Sequence, residues 1–233
     1  MSPAQLLLLF DIDGTLVSGA AEAHAQALHE ALQAVHGVDA RRVGMPIAPA
    51  GRTDPEIARA LLLAAGVSAT QIDERADDVK EACCRAYARL APPDLSAAVL
   101  PGIPALLDWL DGQPAARLGL LTGNYEPVAR LKLRRAGIGG HFPSGQGAFG
   151  SDSEDRTMLP AIARRRAGAR GAPHPREQAL VIGDTPRDIA CARADDMRCI
   201  AVATGPFAAD DLGEADLVVA GAGELRGVLE ELL

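Results

Sequence analysis

The sequence predicts an α/β protein, a doubly wound parallel sheet into which an all-helical domain is inserted, and three observations predict it. Short apolar runs of strand length, such as Leu6-Leu7-Leu8-Leu9-Phe10 and Ala179-Leu180-Val181-Ile182, stop abruptly at a carboxylate or a glycine, as strands buried on both faces do. From residue 95 onward such runs alternate with stretches of helical periodicity, the pattern of β-α units joined by right-handed crossovers. Between residues 18 and 94 the alternation lapses, and helix and loop follow one another without a convincing strand.

Residues 6–10 are too few for a helix and form the first strand, with Asp11 at its end. Alternation sends Asp11 and Asp13 to one side and Ile12 to the other. Two carboxyl groups thus converge beyond the carboxyl edge of the sheet, where open parallel sheets hold ligands. Like charges so close require a cation between them or a proton on one; the competing reading is a solvated Asp-x-Asp-Gly turn. After Gly14 and Gly19, residues 20–35 carry Ala, Leu and Val at helical spacing as far as Gly37, a helix terminator. Thr53-Asp54-Pro55-Glu56 opens a second helix, with proline in the first turn and acids at the positive end of the dipole, and it runs to about residue 65. Ser68 or Thr70 caps a third, which continues towards Leu90 and ends before Pro92-Pro93. Residues 1–17 and 95–233 are therefore assigned to the sheet-bearing core and 18–94 to the helical insertion. In the second part of the chain we expect a helix from Pro101-Gly102 through Trp109, a strand over 117–121 and helices over 126–136 and 155–167. A strand over 179–184, a helix over 188–195, strands over 199–203 and 217–219 and a closing helix over 224–233 complete it.

At 233 residues and 48% hydrophobic the chain can bury a full core. A net charge of -8, with no basic run long enough to neutralise a nucleic-acid backbone, argues against DNA or RNA as a partner. Arg164-Arg165-Arg166, the densest basic run, reads as a solvated helix face. No stretch of 18 apolar residues occurs, and residues 6–10 lack the basic start, length and cleavage site of a signal peptide, so a soluble cytoplasmic protein without membrane contact is expected. Cys83, Cys84, Cys191 and Cys199 have no paired spacing and are expected to be reduced structural thiols. The five histidines share no spacing, and none is assigned as ligand or base.

Three strand ends carry polar chemistry: Asp11 and Asp13 after the first, Thr122-Gly123-Asn124 after the second, and Gly183-Asp184-Thr185-Pro186-Arg187-Asp188 after a later one. A hydroxyl flanked by backbone N–H groups before a helix suits phosphate oxygens. Carboxylates from two strands suit a hard divalent cation, Mg²⁺ being the natural choice. Alone, Thr-Gly-Asn is mostly a turn and Gly-Asp-Thr-Pro mostly a helix cap.

Together, Asp11-Ile12-Asp13-Gly14-Thr15-Leu16, Thr122 after an apolar strand, and Gly183-Asp184-Thr185-Pro186-Arg187-Asp188 resemble the successive motifs of the haloacid dehalogenase-like hydrolase superfamily. The likeness spans nearly the whole chain and looks like the phosphoglycolate phosphatase-like branch, in which a helical cap follows the first motif. The resemblance implies a Rossmann-like core and Mg²⁺-dependent hydrolysis of a small phosphorylated metabolite. It makes Asp11 the nucleophile and a metal ligand, and Asp13 the general acid/base, with its backbone carbonyl on the metal. Thr122, with Gly123 and Asn124, becomes the phosphate seat, and Asp184 a metal ligand supported by Asp188. The family places a basic residue before the Gly-Asp strand, commonly as Lys-Pro, and no Lys-Pro occurs here. Arg156, at the start of the preceding helix, is the choice for it, with Lys132 and Arg164 as weaker candidates.

Attack by Asp11 on a phosphate monoester brings anion to anion, so the cation, Thr122, backbone N–H groups and a basic side chain must neutralise the equatorial oxygens. Asp13 would protonate the leaving alcohol and later deprotonate water, with a pKa raised above that of Asp11. A dehalogenase would lack the second aspartate; a phosphomutase is the alternative within the superfamily. A phospho-accepting receiver, of a different class, would carry its aspartate after an internal strand and have no helical insertion. Gly51-Arg52-Thr53-Asp54 opens a helix of the insertion, where Arg52 would meet a second anionic group of the substrate; the competing reading is a surface arginine beside a helix cap. The insertion is expected to bend near residues 17–19 and 92–93 as it opens and closes. Monomer and dimer are equally compatible with the sequence.

Overall fold

In the computed structural model, which describes residues 5–169 and 171–233, the apolar runs become six parallel strands. These are β1 (Leu6–Phe10), β2 (Ala116–Thr122), β3 (Ala148–Phe149), β4 (Ala179–Gly183), β5 (Arg198–Val202) and β6 (Leu217–Val219), in the spatial order β3-β2-β1-β4-β5-β6. The order reverses on either side of β1, so the crevice at the switch point opens above Phe10 and its successor Asp11. Leu8 stands opposite Leu118 on one neighbour and Leu180 on the other. Period-two alternation sends Leu8 and Phe10 into one apolar cluster and Leu7 and Leu9 into another. Both faces of β1 are thus covered, which is why its sequence is apolar throughout.

Ten helices are described, in chain order: α1 (Ala21–His36), α2 (Ala40–Val43), α3 (Asp54–Ala64), α4 (Ala69–Glu74), α5 (Ala76–Leu90), α6 (Ile103–Asp111), α7 (Glu126–Arg135), α8 (Leu159–Ala167), α9 (Pro186–Ala194) and α10 (Ala222–Leu232). Helices α6, α7 and α10 bury Leu107, Leu133 and Leu229 on the Leu8 face. On the Leu7 face α8 and α9 bury Leu159, Ala163 and Ile189.

Between β1 and α6 the described residues form helices α1 to α5 and no strand of this sheet. Leu28, Leu32, Leu61, Leu62 and Tyr87 build an apolar cluster of their own, which Tyr125 and Val128 of the sheet-bearing part complete. The expected third helix is two helices. Arg75 leaves helical geometry at φ -117°, ψ 14°, and its guanidinium turns to Asp78 and to the carbonyl of Val35 at the end of α1. Helix α2 and the two-residue β3 were not expected, being too short to carry a period, and the helix expected from 155 begins as a 3₁₀ turn over Arg156–Met158.

The chain enters and leaves the insertion side by side. The Ser18 N–H donates to Ala98 O at 2.8 Å and the Leu100 N–H to Leu16 O at 3.0 Å. Residues 92–93, expected to flex, are tied to α7: Arg135 donates to the carbonyls of Ala88 (2.9 Å), Ala91 and Pro92 (3.2 Å). The four cysteines are free thiols. Among the described residues no helix is long and apolar enough to cross a membrane.

Candidate active site

The carboxyl ends of β1, β2 and β4 deliver their polar residues to one place. Asp11 directly follows β1, its N–H still donating to Ile182 O at 2.9 Å, so the strand's last hydrogen bond fixes where its side chain starts. Gly14, at φ +89°, turns the chain away, and a Cβ there would stand 2.1 Å from Asp184 Oδ2; only glycine allows both the left-handed backbone and the contact. Asp184 follows β4, and Asp188 closes a capping box at the start of α9, accepting from the Thr185 N–H at 3.0 Å and the Thr185 hydroxyl at 2.7 Å. One oxygen each of Asp11, Asp184 and Asp188 lie within 4.8 Å of one another, and all three residues are buried. Thr15 donates its hydroxyl to Asp184 Oδ1 at 3.0 Å, whereas Asp184 Oδ2 is buried without a partner.

Arg156 sits against this cluster with Nη2 3.1 Å from Asp11 Oδ1 and on Asp188 Oδ1, and its Nη1 donates to Gly51 O at 3.0 Å. Thr122 ends β2 fully buried, and its hydroxyl oxygen accepts weakly from the Asn124 N–H at 3.4 Å. Gly123 underlies the insertion: a Cβ on it would meet Arg52 O at 2.1 Å, and its carbonyl accepts from the Asp54 N–H at 2.8 Å. Asp54 in turn accepts from the Tyr125 N–H at 2.7 Å and lies 3.0 Å from His24 Nε2. Helix α3 is therefore hydrogen-bonded onto the turn that leads from β2 to α7. A cavity of about 490 Å³ remains between the insertion and the strand ends, with Asp11, Asp13, Thr122, Asn124, Arg156 and Asp184 among its walls.

Charge in this site is distributed differently from the sequence-based expectation. Burial, together with Asp188 and Asp13, raises the Asp11 pKa to about 7 against the opposing pull of Arg156. Burial and the neighbouring carboxylates of Asp11 and Asp188 raise Asp184 to about 8. Asp13 moves the other way. Burial pushes its carboxyl up, but the Lys132 ammonium, His24, and hydrogen bonds from Lys132 and Asn124 outweigh burial and hold it below the usual carboxylate range. The expected ordering, Asp13 above Asp11, is thus reversed, because burial raises Asp11 while Lys132 Nζ lies 2.7 Å from both Asp13 oxygens and 3.0 Å from Asn124 Oδ1. Asp13 accordingly stands outside the carboxylate triad that its sequence neighbour Asp11 joins.

Of the three basic residues weighed for the position before the Gly-Asp strand, Arg156 reaches Asp11, Lys132 reaches Asp13, and Arg164 lies elsewhere, bonded to Asp195 and to His174 O. Arg52 lines the cavity but is not the free cation expected there: its guanidinium pairs with Glu56 one turn along α3, and its Nε donates to Ala48 O at 2.9 Å. Three participants escape the sequence reading. His24 and His29 line the cavity from α1, and Thr204 donates its hydroxyl to Gly14 O at 2.6 Å. The His24–Asp54 contact joins residues thirty positions apart through tertiary packing alone, with no local pattern to announce it.

The donor set fits a hard divalent cation: three buried carboxylates from two strand ends, one of their oxygens unpartnered. Known structures with the same architecture include a hydrolase from Pseudomonas syringae, 24% identical over 97% of this chain and 99% of that one, with a TM-score of 0.63. The beta-phosphoglucomutase of Clostridium difficile is 18% identical over 97% and 96% of the two chains, with a TM-score of 0.68. CbbY from Rhodobacter sphaeroides, in complex with phosphate, is 20% identical over 95% and 96%, with a TM-score of 0.64. No protein of curated function matches the chain in sequence. The family model for haloacid dehalogenase-like hydrolases matches residues 8–193, from the middle of β1 to the end of α9, and the chain belongs to that family.

Proposed function

We propose that this hydrolase is a phosphatase that cleaves a small phosphate monoester through an aspartyl-phosphate on Asp11, with the helical insertion, residues 18–94, acting as its cap. The observation that carries this reading is the buried triad of Asp11, Asp184 and Asp188 at the switch point, with Asp184 Oδ2 unpartnered. Asp11, Asp184 and the backbone carbonyl of Asp13 would hold Mg²⁺, with Asp188 in support through Arg156 and Thr185. The cation would supply positive charge to the carboxylates and to a phosphoryl group beside them.

The chain's own residues divide the remaining work. Thr122 and the N–H groups of Gly123 and Asn124 seat the phosphoryl oxygens, and Arg156 adds positive charge next to Asp11. A carboxylate oxygen of Asp11 forms a bond to phosphorus as the bond from phosphorus to the leaving oxygen breaks, and Asp13 gives that oxygen its proton. The arriving phosphate is a like charge for Asp13 and raises its proton affinity against Lys132. Asp13 then takes a proton from the water that attacks the aspartyl-phosphate, and inorganic phosphate leaves. The contacts of α3 on Gly123 and Tyr125 hold the insertion against the turn beside this centre.

Phosphate release from p-nitrophenyl phosphate tests the reading. Activity is expected with Mg²⁺ and lost in EDTA, and Asp11→Asn is expected to melt like the wild type while losing turnover by about 10³-fold or more. Turnover by Asp11→Asn close to wild type would refute the covalent route. A phosphomutase, the second reading, would pass the phosphoryl group to a second hydroxyl of a sugar phosphate with no net phosphate release.

A further inference from the structure

The cavity has two unlike halves. The strand ends contribute carboxylates, hydroxyls and backbone amides, whereas the wall facing them is mainly hydrocarbon, from Val17, Ala20, Leu28, Met45, Pro49 and Ile57, interrupted by the polar side chains of Ser18, His24, His29, Arg52 and Asp54. Among the described residues, four potentially cationic side chains line the cavity: His24, His29, Arg52 and Arg156. Each is already committed or uncharged. Arg156 is held by Asp11 and Asp188. Arg52 is paired with Glu56 one turn along α3 and with the carbonyl of Ala48. His24 lies on Asp54, whose carboxylate would cancel a charge on the ring. His29 is kept neutral near pH 7, since burial and Arg41 lower its pKa despite Asp39. Lys132, beneath the cavity floor, is spent on Asp13.

A carboxylate or second phosphate on the leaving group would therefore enter a space with no uncompensated positive charge to meet it, and would lose hydration without replacement. Hydroxyls of a sugar would find partners on that wall at Ser18, His24 and His29, and would otherwise face Leu28, Met45 and Ile57. An apolar body, by contrast, gains by leaving water. At about 490 Å³ the space lies within the usual range of small-ligand pockets, about 300–1,000 Å³.

From this we infer that the substrate is the phosphate monoester of an uncharged, mainly apolar alcohol, whose leaving group lodges between α1 and α3 and bears no second anionic group. The inference rests on the phosphatase reading. It sets 2-phosphoglycolate and sugar bisphosphates in the disfavoured class, and it leaves a mutase without a seat for a second phosphate.

Matched substrates test it. Benzyl phosphate and 4-carboxybenzyl phosphate release alcohols of similar basicity, so a difference between them reads the cavity and not intrinsic reactivity. With the full chain and Mg²⁺, kcat/KM for benzyl phosphate is expected to exceed that for 4-carboxybenzyl phosphate and for glucose 6-phosphate by about 10-fold or more. Ile57→Lys sets an ammonium in the apolar wall, and Glu56→Gln, a milder change, uncovers the charge of Arg52. Either is expected to raise kcat/KM for the carboxylated ester and narrow the gap by about 10-fold. Equal or better turnover of 4-carboxybenzyl phosphate or glucose 6-phosphate by the wild type would overturn the assignment. So would folded Ile57→Lys and Glu56→Gln proteins with unaltered preference. Absence of phosphate release from every ester, p-nitrophenyl phosphate included, would instead bring down the phosphatase reading and this inference with it.

Discussion

Lys132 lies on the exposed-looking sequence of α7, Glu126-Pro-Val-Ala-Arg-Leu-Lys-Leu-Arg-Arg, yet its side chain is fully buried with its ammonium on Asp13 and Asn124. Burial of an ammonium is tolerable only against such partners, so Asp13 and Lys132 must be considered as one unit. In that unit Lys132 favours the ionised carboxylate. Replacing it with methionine keeps the apolar stem and removes the charge, and Asp13 should then hold its proton to higher pH. The limb of the kcat/KM profile on which activity falls as Asp13 ionises is expected to move upward in Lys132→Met by about one unit or more. An unmoved profile in a folded variant would separate Lys132 from the acid/base chemistry. At this scale the sequence was uneven in what it disclosed. Asp11, Asp184 and Arg156 were legible because each follows a strand or begins a helix, where backbone geometry dictates the direction of the side chain. Lys132 entered only as a weaker candidate and His24 not at all, because a helix position reads as solvated until the partner that buries it is known.

Among the elements, the turn from β2 to α7 bears a backbone contact between the two parts of the molecule. Gly123 has no side chain where Arg52 O rests, and the Asp54 N–H donates to its carbonyl. A methyl group there must displace the start of α3, since backbone cannot yield as a flexible side chain can. Gly123→Ala is expected to leave the melting temperature of the core nearly unchanged while lowering kcat/KM by about 10-fold or more, because α3 closes over the site. Wild-type kcat/KM in that variant would mean that this contact has no part in forming the competent state. Thr53-Asp54-Pro55-Glu56 announced α3 through its cap and its proline, and the structure bears this out with the Thr53 hydroxyl accepting from the Glu56 N–H. What the cap signal could not convey is that the same Asp54 turns its carboxylate to Tyr125 and His24. Local rules read the backbone of α3, and tertiary packing decided the use of its side chains. The break at Arg75 has the same origin, since the carbonyl that draws its guanidinium belongs to α1.

For the molecule as a whole, three acidic groups brought together by folding make stability depend on protons and cations. The raised pKa values of Asp11 and Asp184, about 7 and about 8, exceed those of the unfolded chain, about 4. The folded state thus binds protons more tightly than the unfolded one. This contribution is complete below about pH 4 and is lost as pH rises through 7 and 8. In the absence of divalent cations the melting temperature should fall over that interval as these groups ionise, other titrations apart. Mg²⁺ should restore it at pH 8 far more than at pH 5, where protons compete for the same oxygens. Thermal melts with Mg²⁺ and with EDTA at the two pH values measure this, and equal increments at both would argue against a cation on the triad. The doubly wound parallel class was readable because repeated β-α units obey the same handedness, whereas the strand order came from the structure, and β3, with two residues, left no periodic trace. The pairing of Ser18 with Ala98 and of Leu100 with Leu16 has one more consequence. Because the long excursion departs and returns through neighbouring, hydrogen-bonded residues, the sheet sees it as a tight turn whatever its length. The entropic cost of lengthening such a loop grows only with the logarithm of its size, so what is carried at this junction can be enlarged or shortened at little cost while the sheet beneath keeps its register.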